Sequence, residues 1–447
     1  MCTGANESHI PAVPTQEKAA LLPLLLLLAL LLIKHTSPLS SSPMRPATFR
    51  GFLASATPTS PLLVTAPMVA HSELAFRLLT AKHGTNLCYT PMIHARHFVE
   101  SSTFRKSNCD FTASLEGYSQ SKCPVIAQIC ANDPKTAGLA ARILSDAGVD
   151  GIDLNLGCPQ YIAKKGDYGA YLLPQIHRVE EILTAIVGNS DTPVTAKVRI
   201  QDDMDTTVDI CRRIEATGIS LLTVHGRTVR ENKQTVKEAN WDAIKRVVES
   251  VQVPVVANGG VEYPSDVKRL LEYTGAAGVM SSESLLENPA LFDSEDDWAM
   301  TPREVVERQV ILAHEYLQLA GEHRPISFGG SGGDNSVKSH IFKILYRILD
   351  DEKFHHLRNR LGDTKFTRSI EDISKVVGEV EELIERYDDE ALFGEAREVF
   401  DNRSWYRRHR KPPAVNELDE RDERKAAIRD RMVKLKEQRE QRVAAAG

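Results

Sequence analysis

The chain holds 447 residues and carries a formal net charge of -6. That length accommodates one large barrel-sized domain plus a smaller unit, and a mildly acidic total gives no composition-level sign of a nucleic-acid partner, so any such surface has to be local. The seven cysteines are odd in number and scattered along the chain, which excludes a disulfide scaffold and a Cys-based metal site and fits the reduced thiols of a cytoplasmic protein.

Residues 1–61 read as an N-terminal extension. The apolar run Ala19 to Ile33 has the length of a signal-peptide core and is shorter than the roughly 20 residues a spanning helix needs. Glu7 and Glu17 precede it against Lys18 alone, so a positive leader is missing. From Lys34 to Ala66 the chain has basic and hydroxyl residues and no acid, a transit-peptide composition, and Met44 is an alternative start. The expected location is the cytoplasm, with the nucleus, the mitochondrion or a membrane anchor as the alternatives this run leaves open.

From Leu62 short apolar runs alternate with helical patterns, the signature of strand-helix units and a parallel sheet. The expected strands are 63–66, 87–90, 125–129, 151–156, 194–198, 221–225, 255–258 and 277–280. Between them fall helices over 73–82, 134–147, 175–187, 206–216, 241–251 and 264–273, several opened by a capping residue or an early proline. The fold class expected is a (β/α)8 TIM barrel over 62–300 followed by a smaller all-helical domain over 301–400. Within that domain the helices are expected at 303–321, 339–350 and 369–386, with the Gly/Ser-rich segment 327–336 as a flexible loop. A basic and charged tail takes up 401–447. Its run Arg407, Arg408, His409, Arg410, Lys411 beside Trp405 and Tyr406 is a candidate phosphate-binding surface, whereas 417–442 mixes both signs and reads as a solvated helix.

The central stretch is Gly151 to Leu172, GIDLNLGCPQYIAKKGDYGAYL. Its first half is a buried strand closed by Gly157, so Cys158 sits just past a strand's carboxyl end, where barrels of this class carry catalytic groups. A lone cysteine is ordinarily packing. Here Lys164, Lys165, Tyr168 and Tyr171 surround it with cations and hydroxyls.

Ala66-Pro67-Met68, Tyr89-Thr90-Pro91-Met92, Gln128, Asn155-Leu156-Gly157-Cys158-Pro159-Gln160, Lys197-Val198-Arg199, His225-Gly226-Arg227-Thr228 and Asn258-Gly259 resemble, in order and spacing, the tRNA-dihydrouridine synthases. The resemblance is dense from Leu62 to Leu291. It implies FMN as cofactor, NADPH as electron donor and tRNA as substrate, with the C5=C6 bond of a D-loop uridine reduced. The strings at 88–95 and 168–172 look most like the eukaryotic branch acting at positions 16 and 17. No metal and no stable membrane partner is expected if the apolar run is not retained.

The resemblance assigns the proton donor to Cys158, since an ordinary thiol, with a pKa of about 8.5, is protonated at neutral pH. It places Pro67, Met68, Val69, Gln128, Lys197 and His225 around the flavin ring. A lysine in the apolar run 194–198 would be costly to bury without an anionic partner, which itself argues for a ligand. Asn258, Gly259 and Gly260 end the seventh strand, where small residues let backbone donors approach a phosphate. At the eighth strand the chain departs from the family: Ser282-Glu283 stands where many members have glycine and arginine. Serine or backbone donors are expected to substitute there, with Glu283 turned away or paired with a cation. Asn155 and Arg199 are expected on the uracil's polar edge and Lys164 near the RNA. Lys338, His340, Lys343 and Arg347 are expected to form an RNA-binding helix face. The rival readings are a flavin reductase for free pyrimidines and an RNA-binding barrel that has lost turnover.

Overall fold

The computed structural model describes residues 46–110, 123–326, 333–363, 367, 369–394 and 397–410. The apolar run 19–33, most of the Gly/Ser-rich segment, Lys411 and the stretch 417–442 lie outside the described residues. The described residues belong to one compact unit.

The strands are β1 (Leu62–Thr65), β2 (Leu87–Tyr89), β3 (Ile93–His94), β4 (Val125–Cys130), β5 (Gly151–Leu156), β6 (Val194–Arg199), β7 (Leu221–His225), β8 (Val255–Asn258) and β9 (Gly278–Ser281). All pair in parallel, and β2 pairs with both β1 and β4, so the sheet closes on itself. The barrel has eight staves, because β2 and β3 both lie along β4, Cys88 opposite Val125 and His94 opposite Cys130. Pro91 interrupts that stave: it has no N–H to give the ladder. The expected eight strands are therefore present, each within a residue or two of its expected bounds. At the seam between β1 and β9, Leu62 faces Gly278. A Cβ at Gly278 would stand 2.5 Å from the Leu62 carbonyl oxygen, so only glycine lets these two backbones approach there.

The crossover helices start where the sequence offers caps. Asp133 accepts from Thr136 N at 2.8 Å, Asp203 from Thr206 N at 2.7 Å and Asn240 from Ala243 N at 2.9 Å. Each satisfies an amide that the first helical turn leaves without a partner. The apolar faces of these helices and the outer faces of the strands form the main core.

One element lies inside the expected extension. Helix Pro46–Ala54 buries Phe49 and Leu53 completely among Leu62, Leu87, Leu221 and Val256, and Arg50 reaches Ser220 Oγ at 3.0 Å. These neighbours lie at the amino ends of strands, so the helix plugs the barrel's base, and each buried side chain contributes about 1.5–3 kcal/mol.

Past the barrel the chain is helical, with Pro302–Glu322, Gly333–Ile344, His355–Gly362 and Ile370–Arg386 as its longer helices. Thr301 and Glu304 form a capping box at the first of these. The Gly/Ser-rich segment ends earlier than expected, because Gly333 already opens a helix. Helix Pro302–Glu322 meets the barrel through a fully buried cluster. Tyr316 donates to Glu73 Oε1 at 2.7 Å, and His340 Nε2 lies 3.1 Å from the same oxygen. Burial pushes the Glu73 carboxyl up, but His340 and the Tyr316 hydrogen bond outweigh it and hold the group below the usual carboxylate range. Among the described residues no helix is long and apolar enough to cross a membrane.

Candidate active site

The carboxyl ends of the strands converge on a mouth lined by polar groups. Strand register sets Asn155 beside Lys197, Arg199 beside His225, and His225 beside Asn258. The expected residues Gln128, Asn155, Lys197, Arg199, His225 and Asn258 thus come from five consecutive staves.

Deepest in this set is a carboxylate. Asp153, fully buried on β5, accepts from Thr195 Oγ1 at 2.6 Å and from Gln128 Nε2 at 2.8 Å. Burial raises it to about 6, against the pull of those two bonds and of Lys197. The chain of contacts runs upward: Asn155 Nδ2 donates to Gln128 Oε1 at 2.9 Å, and Asn155 Oδ1 accepts from the amides of Gly157 at 3.2 Å and Cys158 at 3.0 Å. Asn155 therefore shapes the turn that presents the cysteine. Asp153 was not among the expected site residues, although a charge at the centre of an apolar strand signals it.

Cys158 is part-exposed and packs beside Cys130, Ala163, Tyr168 and Tyr171. The chain folds back over it: Ala170 N donates to its carbonyl at 3.2 Å, and Tyr171 Oη donates to the Pro159 carbonyl at 2.9 Å. Gly169, at φ +67°, makes that return possible, since a Cβ there would stand 3.0 Å from Cys158 Cβ. Lys164 lies exposed on the short helix Tyr161–Lys165 that follows, with Tyr161 exposed on the same turn.

Lys197 is part-buried and donates to Asn258 Oδ1 at 2.8 Å, while Asn258 Nδ2 donates to the Met280 carbonyl at 2.8 Å. No ion pair of Lys197 occurs among the described residues. Burial, then Arg199, lowers its ammonium to about 8. Arg199 spends Nε on the Gly157 carbonyl at 2.8 Å and one Nη on the Thr228 carbonyl at 3.0 Å, so it ties two mouth loops together as well as facing the site. Burial and Arg227 bring it down to about 10. His225 is held neutral, well below its ordinary value, by burial and by Arg199, Lys197, Arg227 and Arg410. Its Nε2 lies 3.3 Å from Arg227 Nη1, and arginine only donates, so Nε2 accepts and Nδ1 carries the proton.

A cavity of about 380 Å³ opens beside these groups, lined by Arg199, His225, Arg227, Asn258, Gly259, Gly260, Ser281, Ser282 and Glu283, with Tyr406 and Arg410 from the far end of the chain. Gly259 and Gly260 have φ of +101° and +83°. A Cβ on the first would stand 2.9 Å from His225 Cδ2 and on the second 2.6 Å from Trp241 Nε1. This wall admits only backbone, which suits an anion held by amides. Together with a lysine that has no ion pair among the described residues, this donor set could hold a flavin mononucleotide, Gln128, Lys197 and His225 being available to a ring and Gly259, Gly260 and Ser282 to a phosphate. Pro67, Met68 and Val69 follow β1, and Val69 is 54% exposed at the mouth.

Three expectations about cations are corrected. Arg347 is 1% exposed and pairs with Glu287 Oε1 at 3.2 Å and Asp297 Oδ2 at 2.7 Å; it is an internal strut. Lys343 is buried and donates to His71 Nε2 at 2.7 Å and to Ser339, and His340 belongs to the Glu73 cluster, so of the expected RNA face only Lys338 is left part-exposed. Nor is the run at 407–410 an open phosphate-binding surface: Arg407 pairs with Glu262 at 2.6 Å, and Arg408 and Arg410 both pair with Glu283, at 3.0 and 3.2 Å. Glu283 does pair with a cation, as expected, and with two.

Residues 64–381 match the family described as Dihydrouridine synthase (Dus). The chain is 38% identical over 317 residues to a mouse protein named tRNA-dihydrouridine(16/17) synthase [NAD(P)(+)]-like, covering 70% of this chain and 61% of that one. It is 35% identical over 348 residues to the Saccharomyces cerevisiae tRNA-dihydrouridine(16/17) synthase [NAD(P)(+)], covering 75% and 79%. A mouse tRNA-dihydrouridine(20a/20b) synthase [NAD(P)+]-like protein is 43% identical over 238 residues, covering 51% and 68%. The chain thus spans about three fifths of the first mouse relative's length. With the family match running from β1 into helix Ile370–Arg386, the chain belongs to the dihydrouridine synthase family.

Proposed function

We propose that this protein reduces the C5=C6 bond of uridine in the tRNA D-loop, at positions 16 and 17, with FMN bound in the barrel mouth and NADPH as the source of electrons. The observation that carries the reading is the placement of a part-exposed thiol, Cys158, at the end of β5 beside a lysine on β6 that has no carboxylate partner among the described residues.

When bound, the flavin supplies hydride chemistry. The chain's own residues do the rest. Lys197 would hold the flavin ring, and its positive charge would favour the reduced form. Neutral His225 offers Nδ1–H. Cys158 Sγ–H holds the proton that the reduced uracil carbon would take up, and Asn155 fixes the backbone that aims the thiol. A base in a folded tRNA reaches such a mouth only when turned out of its stack, and exposed Lys164, Lys165 and Lys233 with part-exposed Lys338 are the cations that meet the backbone around it. The strings at 88–95 and 168–172, which look most like the branch acting at positions 16 and 17, are what favour those positions.

The test is the absorption spectrum of the purified protein followed by incubation with NADPH and a D-loop uridine-containing tRNA transcript, dihydrouridine being mapped by mass spectrometry. Flavin bands and product at 16 or 17 are expected. Product at 20a or 20b alone would move the position, and free uridine reduced as fast as tRNA would favour a pyrimidine reductase.

A further inference from the structure

The loop after β9 brings an acid, Glu283, to the end of the cavity where a bound anion needs a cation. The missing positive charge arrives from a distant part of the chain. Segment Ser404–Arg410, beyond helix Arg397–Asn402, crosses the ends of β8 and β9. Ser404 Oγ and the Tyr406 amide donate to Glu287 Oε2 at 2.7 and 3.0 Å, and Arg407 donates to Glu262 Oε1 at 2.6 Å and to Tyr263 Oη at 3.0 Å. Glu283 then holds Arg408 on one oxygen and Arg410 on the other. The Arg408 guanidinium lies 3.5 Å over the Trp405 ring and that of Arg410 lies 3.7 Å over the Tyr406 ring. Two guanidinium groups on one carboxylate leave a net positive charge at this corner.

Of the two, Arg410 lines the cavity, together with Gly259, Gly260, Ser281 and Ser282. Its Nη1 meets the Tyr406 carbonyl and its Nη2 meets Glu283. Each terminal nitrogen of a guanidinium carries two hydrogens, so one on each is left for a ligand, in the forked geometry that suits a phosphate. The stack on Tyr406 and the anchor on Glu283 hold the fork before any ligand arrives.

We propose that Arg410 is a cofactor-phosphate ligand, supplying from the C-terminal segment the guanidinium that the β9 loop of this chain lacks, with Glu283 as its positioning residue and the Gly259–Gly260 turn as the facing wall. The inference rests on the FMN reading. It assigns the acid at 283 a purpose that its sign alone disguises: the carboxylate draws a fork of the right charge into place.

The experiment compares FMN with riboflavin, which lacks the phosphate, by fluorescence titration of the full-length protein stripped of flavin. Arg410→Ala is expected to weaken FMN about ten- to a hundredfold, the scale of hydrogen bonds to a charged group, with riboflavin affinity unchanged. Arg410→Lys, which keeps the charge and loses the fork, is expected to fall between parent and alanine. FMN affinity unchanged in Arg410→Ala would overturn the proposal, and so would an equal loss for both ligands, which marks a merely structural arginine. If the unaltered protein bound neither FMN nor riboflavin, the flavin reading itself would fall, and this inference with it.

Discussion

Two buried cations, one in the barrel and one in the helical region, show how differently the same kind of residue is used. Arg347 meets two carboxylates, Glu287 and Asp297, accepts the company of the Phe400 and Asp401 carbonyls and lies 5.4 Å over the Phe400 ring. Lys197 meets a neutral amide oxygen. The first cation is matched in charge by the protein, and its loss would leave Glu287 without its guanidinium and Asp297 with Arg308 alone. The second has no ion pair among the described residues and feels Asp153 only at longer range, an arrangement that costs stability and is relieved when a ligand adds negative charge. A buried cation is evidence of a site when its counter-charge is missing, and evidence of a joint when it is present.

The largest expected effect tests the matched cation. Arg347→Met should destabilise the protein by about 3–5 kcal/mol, the scale for breaking a buried ion pair from one side, as measured by denaturant unfolding; a loss below about 1 kcal/mol would show Glu287 and Asp297 to be solvated without it. Next comes the thiol. Cys158→Ala should keep its flavin and its reduction by NADPH while dihydrouridine formation falls about a hundredfold or more, and near-normal turnover would dismiss the thiol as the acid.

The unmatched cation should behave in the opposite sense to Arg347. In flavin-free protein, Lys197→Met is expected to raise stability at pH 7 by about 1–2 kcal/mol, because a desolvated charge is removed, and to weaken flavin binding. The pH dependence has a definite sign. Lys197 falls from an ordinary 10.5 to about 8, so between those values the unfolded chain keeps a proton that the folded protein has released. Stability of the flavin-free parent should therefore gain from Lys197 as pH rises from 8 toward 10.5. That gain should disappear in the methionine variant, and parallel profiles for the two proteins would remove Lys197 from the account. The smallest effect belongs to the open rim: Lys164→Ala with Lys165→Ala should flatten the salt dependence of tRNA binding by at most about two phosphate contacts, leaving flavin content alone. An unchanged slope would place the RNA elsewhere.

The staves of the barrel were legible because parallel strands buried on both faces are written as short, mostly apolar runs, as in Val255–Asn258. The polar residues that end those strands were legible as a set for the same reason, since strand ends in this fold point to one place. Partners far apart in sequence were not. Glu283 lies 125 residues from Arg408 and 127 from Arg410, and nothing in the run at 407–410 distinguishes arginines folded onto acids from arginines open to RNA. The same holds for Lys343 and Arg347, whose two successive helices show basic residues but not the carboxylates and the histidine that cover them. The Pro46–Ala54 plug was hidden for another reason: it is one short helix with two large apolar anchors, Phe49 and Leu53, inside a stretch whose composition points to a leader.

The loop that follows β1 is stitched to the helical region at several points. His71 Nδ1 lies 3.0 Å from the Val69 carbonyl and Nε2 lies 2.9 Å from Ser339 Oγ, Lys343 reaches His71, and Ser336 Oγ donates to the Ala70 carbonyl at 2.8 Å. Residues 68–72 and helix Gly333–Ile344 therefore cannot open independently: each hydrogen bond that frays on one side frays on the other. They form a single cooperative unit of local unfolding, so the loop after β1 inherits the rigidity of a helix 266 residues further along the chain.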